Sequence, residues 1–291
     1  TIAASFLFFH WNHHIQAHAF SSTSKIPSPP SSSRSPLNIC IIAGSTRIDP
    51  PPRPILSDRV TSFISECLRS HENEERNKNS NKIQNENESP HKSYNIQILK
   101  VRDINLPLLQ KPQFCYGPHT TPPHNLSQLQ SQLQNAHAYL ILTPEYNHAP
   151  CPGLLNFLNH FGSSTFGYKP SAIVSYSAGR WGGTRAAHSL RPILSELGCL
   201  PVSSMVHIPQ AEKVLDSKGK VIISTKENEE EESLTTKQKE ETRLWHKYVY
   251  RTLDQLIWWG EAARYQTERV DPYEKSPAFK IDPSERNAPS S

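Results

Sequence analysis

The sequence predicts an α/β fold in which a parallel sheet carries helices on both faces. Short, largely apolar runs of strand length recur at residues 37–43, 138–142 and 172–176, and helical apolar patterns follow each of them. Continuous apolar runs are typical of strands buried on both faces, and their alternation with helices indicates parallel strands. A polar or glycine-rich loop also follows each run. The carboxyl ends of parallel strands meet at one edge of the sheet, where α/β proteins bind ligands.

We expect five strands and five helices in strict alternation. Because strand–helix–strand crossovers are right-handed, such an order covers both faces of the sheet. The predicted strands are residues 37–43, 94–101, 138–142, 172–176 and 202–208, and the predicted helices are residues 55–68, 126–134, 154–159, 184–197 and 244–265.

The first loop, Gly44-Ser45-Thr46-Arg47, has the composition of a phosphate site. Glycine permits close backbone approach, hydroxyl and amide groups donate to phosphate oxygens, and the following helix contributes its N-terminus. An arginine adds a charge-assisted hydrogen bond. The loop has one glycine and no Gly-Lys-Ser/Thr, which favours a phosphate monoester over a pyrophosphate. Taken alone, the four residues are also compatible with an ordinary turn.

The second loop follows the run at 138–142 and reads Thr-Pro-Glu-Tyr-Asn-His-Ala-Pro-Cys-Pro-Gly over residues 143–153. Its prolines and glycine restrict the backbone while leaving amide groups available. Pro144, Glu145, Tyr146 and Asn147 would border a flat heterocycle with hydrogen-bonding edges. The alternative is an ordinary proline-rich loop between a strand and a helix.

The third loop begins with Ser177, Ala178 and Gly179 and continues to a Gly-Gly pair at 182–183. Closely spaced glycines let the backbone lie against a flat ring. The alternative is a plain glycine-rich turn.

These motifs resemble those of the NADPH-dependent FMN reductase family. Thr-Pro-Glu-Tyr-Asn is similar to the family's flavin loop, Gly-Ser-Thr-Arg to its Gly-Ser-x-Arg phosphate loop, and the third loop to its Gly-x-x-Gly-Gly turn, which a Leu-Arg pair follows here at 190–191. The resemblance covers residues 37–265 with gaps. It implies a flavodoxin-like three-layer sandwich with a five-stranded parallel sheet, and FMN bound at the switch between the first and third strands.

The resemblance also implies a reaction. NADPH would give a hydride to bound FMN, and the electrons would pass to a second small-molecule acceptor such as a quinone or a flavin. FMN and NADPH are therefore the expected cofactors, and no acid/base residue is required. The expected cofactor-binding residues are Gly44, Ser45, Thr46, Arg47, Arg53, Pro144, Glu145, Tyr146, Asn147, Ser177, Ala178 and Gly179.

One departure from the family keeps two alternatives open. Residues 48–54 are longer than the family loop and lack its glycine, and Asp49 would repel a phosphate if it pointed inward. The chain could therefore be a binding module that has kept the fold without FMN. It could also be a flavodoxin-like electron carrier, although carriers are typically acidic and this chain has a net charge of +4.

Composition restricts the partners. The charge balance is mild and no basic cluster is interleaved with aromatic residues, which argues against nucleic acid. Five cysteines form no Cys-x-x-Cys pair and the histidines lack ligand spacing, so neither a disulfide framework nor a metal site is expected, and a reducing, cytoplasmic setting is favoured. Residues 2–9 are too short to span a bilayer. A homodimer or homotetramer is the expected assembly.

Several segments are predicted to lie outside the folded domain at 37–265. Residues 1–36 are expected to be a disordered extension or, alternatively, an organelle transit segment. Residues 71–93 have almost no apolar content and predict a flexible insertion. Residues 226–243 predict a charged loop, and residues 266–291 a disordered tail.

Overall fold

A computed structural model describes residues 35–49, 54–80, 93–116, 121–223 and 231–275. Within them the strands are β1 (Leu37–Ala43), β2 (Tyr94–Lys100), β3 (Ala138–Tyr146), β4 (Ala149–Pro150), β5 (Pro170–Tyr176), β6 (Leu200–Pro201) and β7 (Val206–Ile208). The helices are α1 (Leu56–Ser80), α2 (Val101–Ile104), α3 (His124–Gln134), α4 (Pro152–Asn159), α5 (Ser163–Phe166), α6 (Thr184–Glu196), α7 (Ala211–Val214), α8 (Glu231–Thr267) and α9 (Pro272–Lys275).

The sheet has the strand order β2–β1–β3–β5–β6, and β7 also pairs with β5. All neighbouring strands in this order, and the β5–β7 pair, are parallel. Strand β4 pairs antiparallel with the end of β3. The predicted flavodoxin-like parallel fold is therefore confirmed. The order reverses direction between β1 and β3, which creates the crevice that such sheets use for ligands.

Of the fifth predicted strand, residues 202–208, only β7 is a strand; β6 lies just before the predicted range, and both β6 and β7 pair with β5. The interruption has a local cause. The backbone N–H of Ser204 and the hydroxyl of Ser203 donate to the side-chain oxygen of Gln255 on α8, at 3.0 and 2.9 Å. These groups therefore turn towards the helix instead of continuing the ladder with β5.

Alternate residues of the strands face two separate hydrophobic cores. On β1, Ile39 and Ile41 face the core that packs against α1 and α8, whereas Cys40 and Ile42 face the core that packs against α3, α4 and α6. Successive side chains of a strand point to opposite faces, so one apolar run serves both layers. The result is the three-layer arrangement that the sequence predicted.

Helix α1 is longer than the sequence predicted. The insertion predicted over residues 71–93 begins inside this helix, because residues 71–80 are helical. His71 is buried, and its ring nitrogens lie 3.1 Å from the hydroxyl of Tyr94 and 2.8 Å from Oδ1 of Asp254. A flexible insertion is thus the wrong description of residues 71–80, while residues 81–92 lie outside the described residues.

Helix α8 also begins earlier than predicted, at Glu231, so residues 231–243 are helical instead of forming a loop. Their apolar content is low, and individual polar contacts hold them, such as the hydrogen bond from the Gln238 amide to the carbonyl of Val221. Beyond α8, the predicted tail includes α9. Residues 1–34 and 276–291 lie outside the described residues. None of the helices described is both long and apolar enough to cross a membrane.

Candidate active site

The loops after β1, β3 and β5 meet at a cleft of about 250 Å³. This position is the carboxyl edge of the sheet beside the β1/β3 switch point, where the sequence predicted the site. The lining residues are Ser45, Arg47, Ile55, Leu56, Ser57, Pro144, Glu145, Tyr146, Tyr176, Ser177 and Ala178. Of the predicted residues, Gly44, Thr46, Asn147 and Gly179 do not line it, and Arg53 lies outside the described residues.

Gly44 is required by packing. A Cβ atom at this position would lie 2.7 Å from the Cβ of Leu154 and 3.0 Å from the carbonyl oxygen of Leu142, so any side chain would push β1 away from α4 and β3. Thr46 packs in the same region, against Gly153 at the start of α4. The first loop therefore contributes Ser45 and Arg47 to the cleft. Gly44 and Thr46 pack against α4 and fix the course of the loop backbone.

The first turn of α1 also lines the cleft. Ser57 is almost fully buried and lines the cleft together with Leu56. The first N–H groups of a helix have no intrahelical acceptors and carry a partial positive charge. The sequence predicted this helix start but did not single out Ser57, which lies just inside the helix and carries no loop signature.

Asp58, the next residue of α1, is held away from the cleft by two cations. Lys100 and Arg102 donate to its carboxylate at 3.0 and 2.9 Å. Burial alone would raise the pKa of Asp58, but the hydrogen bonds and charges of these two residues outweigh it and lower the pKa below its ordinary value. The negative charge at the start of α1 is thus balanced outside the cleft.

The second loop is a tight β-hairpin between β3 and β4. Glu145 pairs with Pro150 and Tyr146 with Ala149. The two connecting residues, Asn147 and His148, have φ values of 51° and 63°. Positive φ at both central positions is characteristic of a type I′ turn, for which asparagine is favoured. Asn147 therefore forms the tip of the hairpin instead of the wall of the cleft.

The carboxylate of Glu145 joins this hairpin to helix α6. It accepts the backbone N–H groups of Arg185 and Ala186 at 3.0 and 3.2 Å and the Arg185 guanidinium at 3.1 Å. A carboxylate at a helix N-terminus is stabilised by the free N–H groups and the helix dipole. Glu145 thus fixes the second loop against α6, the helix that follows the third loop.

The third loop is fixed by its own glycines and by two neighbouring strands. Gly182 and Gly183 have φ values of 60° and 78°, and a Cβ atom on Gly183 would lie 2.9 Å from the Cβ of Ser175. The hydroxyl of Ser175 donates to the carbonyl of Gly182 at 2.8 Å and lies 2.7 Å from Nδ1 of His207 on β7. This arrangement leaves Ser177 and Ala178 at the cleft.

Two tyrosine hydroxyls in the cleft wall are buried and make no hydrogen bond of normal geometry within the described parts of the chain, although Ser57 and Ser45 lie close to one of them. They belong to Tyr146 at the end of β3 and Tyr176 at the end of β5. Buried hydroxyls are normally paired, so two such donors in one cleft suggest groups that a ligand would satisfy. No cluster of three or more potential metal ligands occurs among the residues described.

Comparison with known proteins decides the family. The family model described as NADPH-dependent FMN reductase matches residues 37–213, which include all three loops of the cleft. The chain belongs to this family. Its cofactors are FMN and NAD(P)H, and its members are oxidoreductases, so the predicted family, enzyme class and cofactors are confirmed.

Several known proteins are similar to parts of this chain. An NAD(P)H-dependent FMN reductase of Pseudomonas aeruginosa is 31% identical over 129 residues, covering 43% of this chain and 68% of the relative. A quinone reductase of Pseudomonas putida is 29% identical over 107 residues, covering 34% of this chain and 56% of the relative. A solved NAD(P)H:acceptor oxidoreductase of Paracoccus denitrificans covers 74% of this chain with 14% identity and a TM-score of 0.46.

The chemistry of the cleft is compatible with the family's cofactor. Ser45, Ser57 and the start of α1 supply hydrogen-bond donors for a phosphate monoester. The unpartnered hydroxyl of Tyr146 and the constrained backbone of the hairpin suit the polar edge of a flavin ring. The described residues of the cleft are therefore compatible with FMN, whereas residues 50–53 of the departing loop lie outside the described residues.

Proposed function

We propose that this protein catalyses the transfer of a hydride from NADPH to FMN bound in the cleft, followed by transfer of electrons to a quinone or a flavin. The first loop, which has the composition of a phosphate site, meets the second and third loops, which suit a flat ring, at the β1/β3 switch point. This convergence supports the proposal most strongly. Membership of the FMN reductase family supports the hydride donor and the flavin. The relative named as a quinone reductase supports the acceptor class.

FMN supplies the redox chemistry, because its ring accepts a hydride and releases electrons to a second substrate. The protein's residues bind and orient it. We assign the phosphate to Ser45, Arg47 and Ser57 at the start of α1. The β3–β4 hairpin, from Pro144 to Tyr146, would border the ring on one side.

Ser177 and Ala178 would border the ring on the other side. The Glu145 carboxylate would act indirectly, because it holds the hairpin and α6 in a fixed relation. No side chain is assigned to proton transfer at the substrate. One ring face must stay open, since both the nicotinamide and the acceptor have to reach the flavin.

Steady-state kinetics test whether NADPH and the acceptor use the same open face of the flavin ring. If NADPH and the acceptor use the same face in turn, double-reciprocal plots at several acceptor concentrations should be parallel. A panel of a quinone, free FMN and an azo dye, each at matched concentration, would identify the acceptor class. Intersecting lines would contradict the shared face. If no member of the panel increased the rate of NADPH oxidation, a small-molecule acceptor would be contradicted.

We also propose a homodimer or homotetramer in the cytoplasm. Trp181 and Trp258 are 68% and 63% exposed, and large exposed aromatic side chains are typical of subunit contacts. All five cysteines are free, as expected in a reducing compartment. Light scattering coupled to gel filtration tests the assembly, and a mass equal to one chain across the micromolar range would contradict it.

A further inference from the structure

Tyr176 is the last residue of β5 and lies at the base of the cleft. It pairs with Pro144 of β3 on one side and with Ile208 of β7 on the other, so its backbone is held between two neighbouring strands. Only 2% of the residue is exposed, and the ring is part of the core between the sheet and α1. The position of its hydroxyl is therefore determined by the fold and not by a mobile loop.

The surroundings of the hydroxyl define which ligand atoms it can reach. Ser57 of α1 and Ser45 of the first loop lie close enough to the hydroxyl to interact with it, but neither contact has the geometry of a normal hydrogen bond within the described residues. Burial is the main cause of a pKa well above the ordinary tyrosine value, so the phenol stays neutral and remains a donor. A neutral donor beside two other hydroxyls and a helix N-terminus suits an anionic acceptor.

We propose that Tyr176 is a phosphate-binding residue that donates its hydroxyl hydrogen to a phosphate oxygen of FMN. This inference rests on the proposed function and adds a ligand that lies outside the Gly-Ser-Thr-Arg loop, some 130 residues away in the sequence. Tyr146 differs from Tyr176 because it lies on the β3–β4 hairpin, beside the ring-binding part of the cleft.

The test compares FMN with riboflavin, which has the same ring but no phosphate. Each ligand is titrated into apo-protein by flavin fluorescence, for the parent and for Tyr176→Phe. Loss of a hydrogen bond to a charged acceptor should weaken FMN about tenfold to a hundredfold. Riboflavin affinity should change by less than about twofold. The melting temperature of the apo-protein should change little, because Phe keeps the buried ring and removes a hydroxyl that makes no hydrogen bond of normal geometry.

Tyr250→Phe is the matched control. The hydroxyl of Tyr250 is likewise buried without a hydrogen bond of normal geometry, and its polar neighbours are Glu74 and Ser70; it lies on α8 beside His71 and does not line the cleft. Both ligands should bind this variant as they bind the parent.

Three results would overturn the assignment. Unchanged FMN affinity in Tyr176→Phe, with the parent still binding FMN, would exclude the hydroxyl as a phosphate ligand and leave the proposed function intact. Equal weakening of FMN and riboflavin would place the effect on the ring or on the fold. Failure of the parent to bind FMN would refute the proposed function, and this assignment with it.

Discussion

Glu145→Gln tests whether one carboxylate holds two walls of the cleft together. Glu145 is nearly buried, and its oxygens accept two backbone N–H groups of α6 and the Arg185 guanidinium. Glutamine keeps the size of the side chain but has one acceptor oxygen and no charge. The substitution therefore removes the helix-dipole interaction and leaves at least one of these donors without its acceptor.

The expected loss of stability follows from these contacts. A charge at a partly buried helix N-terminus contributes about 0.5–2 kcal/mol. A lost hydrogen bond contributes about 0.5–1.5 kcal/mol. The ion pair between Glu145 and Arg185 adds little to the free energy of unfolding, because the arginine side chain is 41% exposed and solvent screens its charge. We expect a free energy of unfolding lower by about 2 kcal/mol, which lowers Tm by roughly 4–8 °C in a domain of this size.

Thermal and urea unfolding measure this loss, and FMN titration measures its effect on the cleft. Glu196→Gln is the control, because Glu196 is an exposed residue at the other end of the same helix and should change stability by no more than about 0.5 kcal/mol. The reasoning would be refuted if Glu145→Gln and Glu196→Gln gave the same unfolding free energy as the parent.

Three further perturbations address other parts of the site. Gly44→Ala should destabilise the fold by about 1–3 kcal/mol, because its Cβ overlaps Leu154; an unchanged urea midpoint would contradict that packing. Arg47→Ala should weaken FMN about tenfold to a hundredfold and leave riboflavin unaffected, as fluorescence titration of both ligands would show; equal weakening would instead indicate damage to the loop. Asp58→Asn should destabilise the protein at neutral pH. The folded-state pKa of Asp58 is lowered, so its contribution is present above the unfolded-state pKa and is lost as the pH falls through the folded-state pKa. Urea unfolding from pH 7 to pH 3 should therefore show the difference between Asp58→Asn and parent shrinking, and a constant difference would contradict the ion pairs.

The sheet could be predicted because its strands are buried on both faces. A run such as residues 37–43 supplies side chains to two cores, and a continuous apolar run of that short length, bounded by turn residues, is typical of a strand buried on both faces. The loops that follow could be located for the same reason, since each begins where an apolar run ends.

The polar helical segments could not be predicted, because they lack an apolar stripe. Residues 71–80 and 231–243 are helical extensions of amphipathic helices, and contacts between residues far apart in sequence hold them in place. His71 contacts Asp254, and Gln238 contacts Val221. Hydrophobic periodicity carries no information on such contacts. A deletion beginning at residue 72 would consequently remove part of α1 and not only a surface loop.

The missed and misplaced site residues have a common explanation. Ser57 and Tyr176 line the cleft but lie inside regular elements, where sequence alone gives no reason to separate them from the core. Conversely, Thr46 and Asn147 lie in the recognised motifs but serve packing and turn geometry. A motif therefore predicts where a site lies more reliably than it predicts which of its residues face the ligand.

The spectrum of the purified protein under anaerobic conditions tests the central claim most directly. We predict that the protein carries or takes up one equivalent of FMN at micromolar concentration, and that NADPH bleaches the yellow flavin absorbance before any acceptor is added. A protein that stays colourless with added FMN, or one whose bound FMN is not bleached by NADPH, would contradict the account.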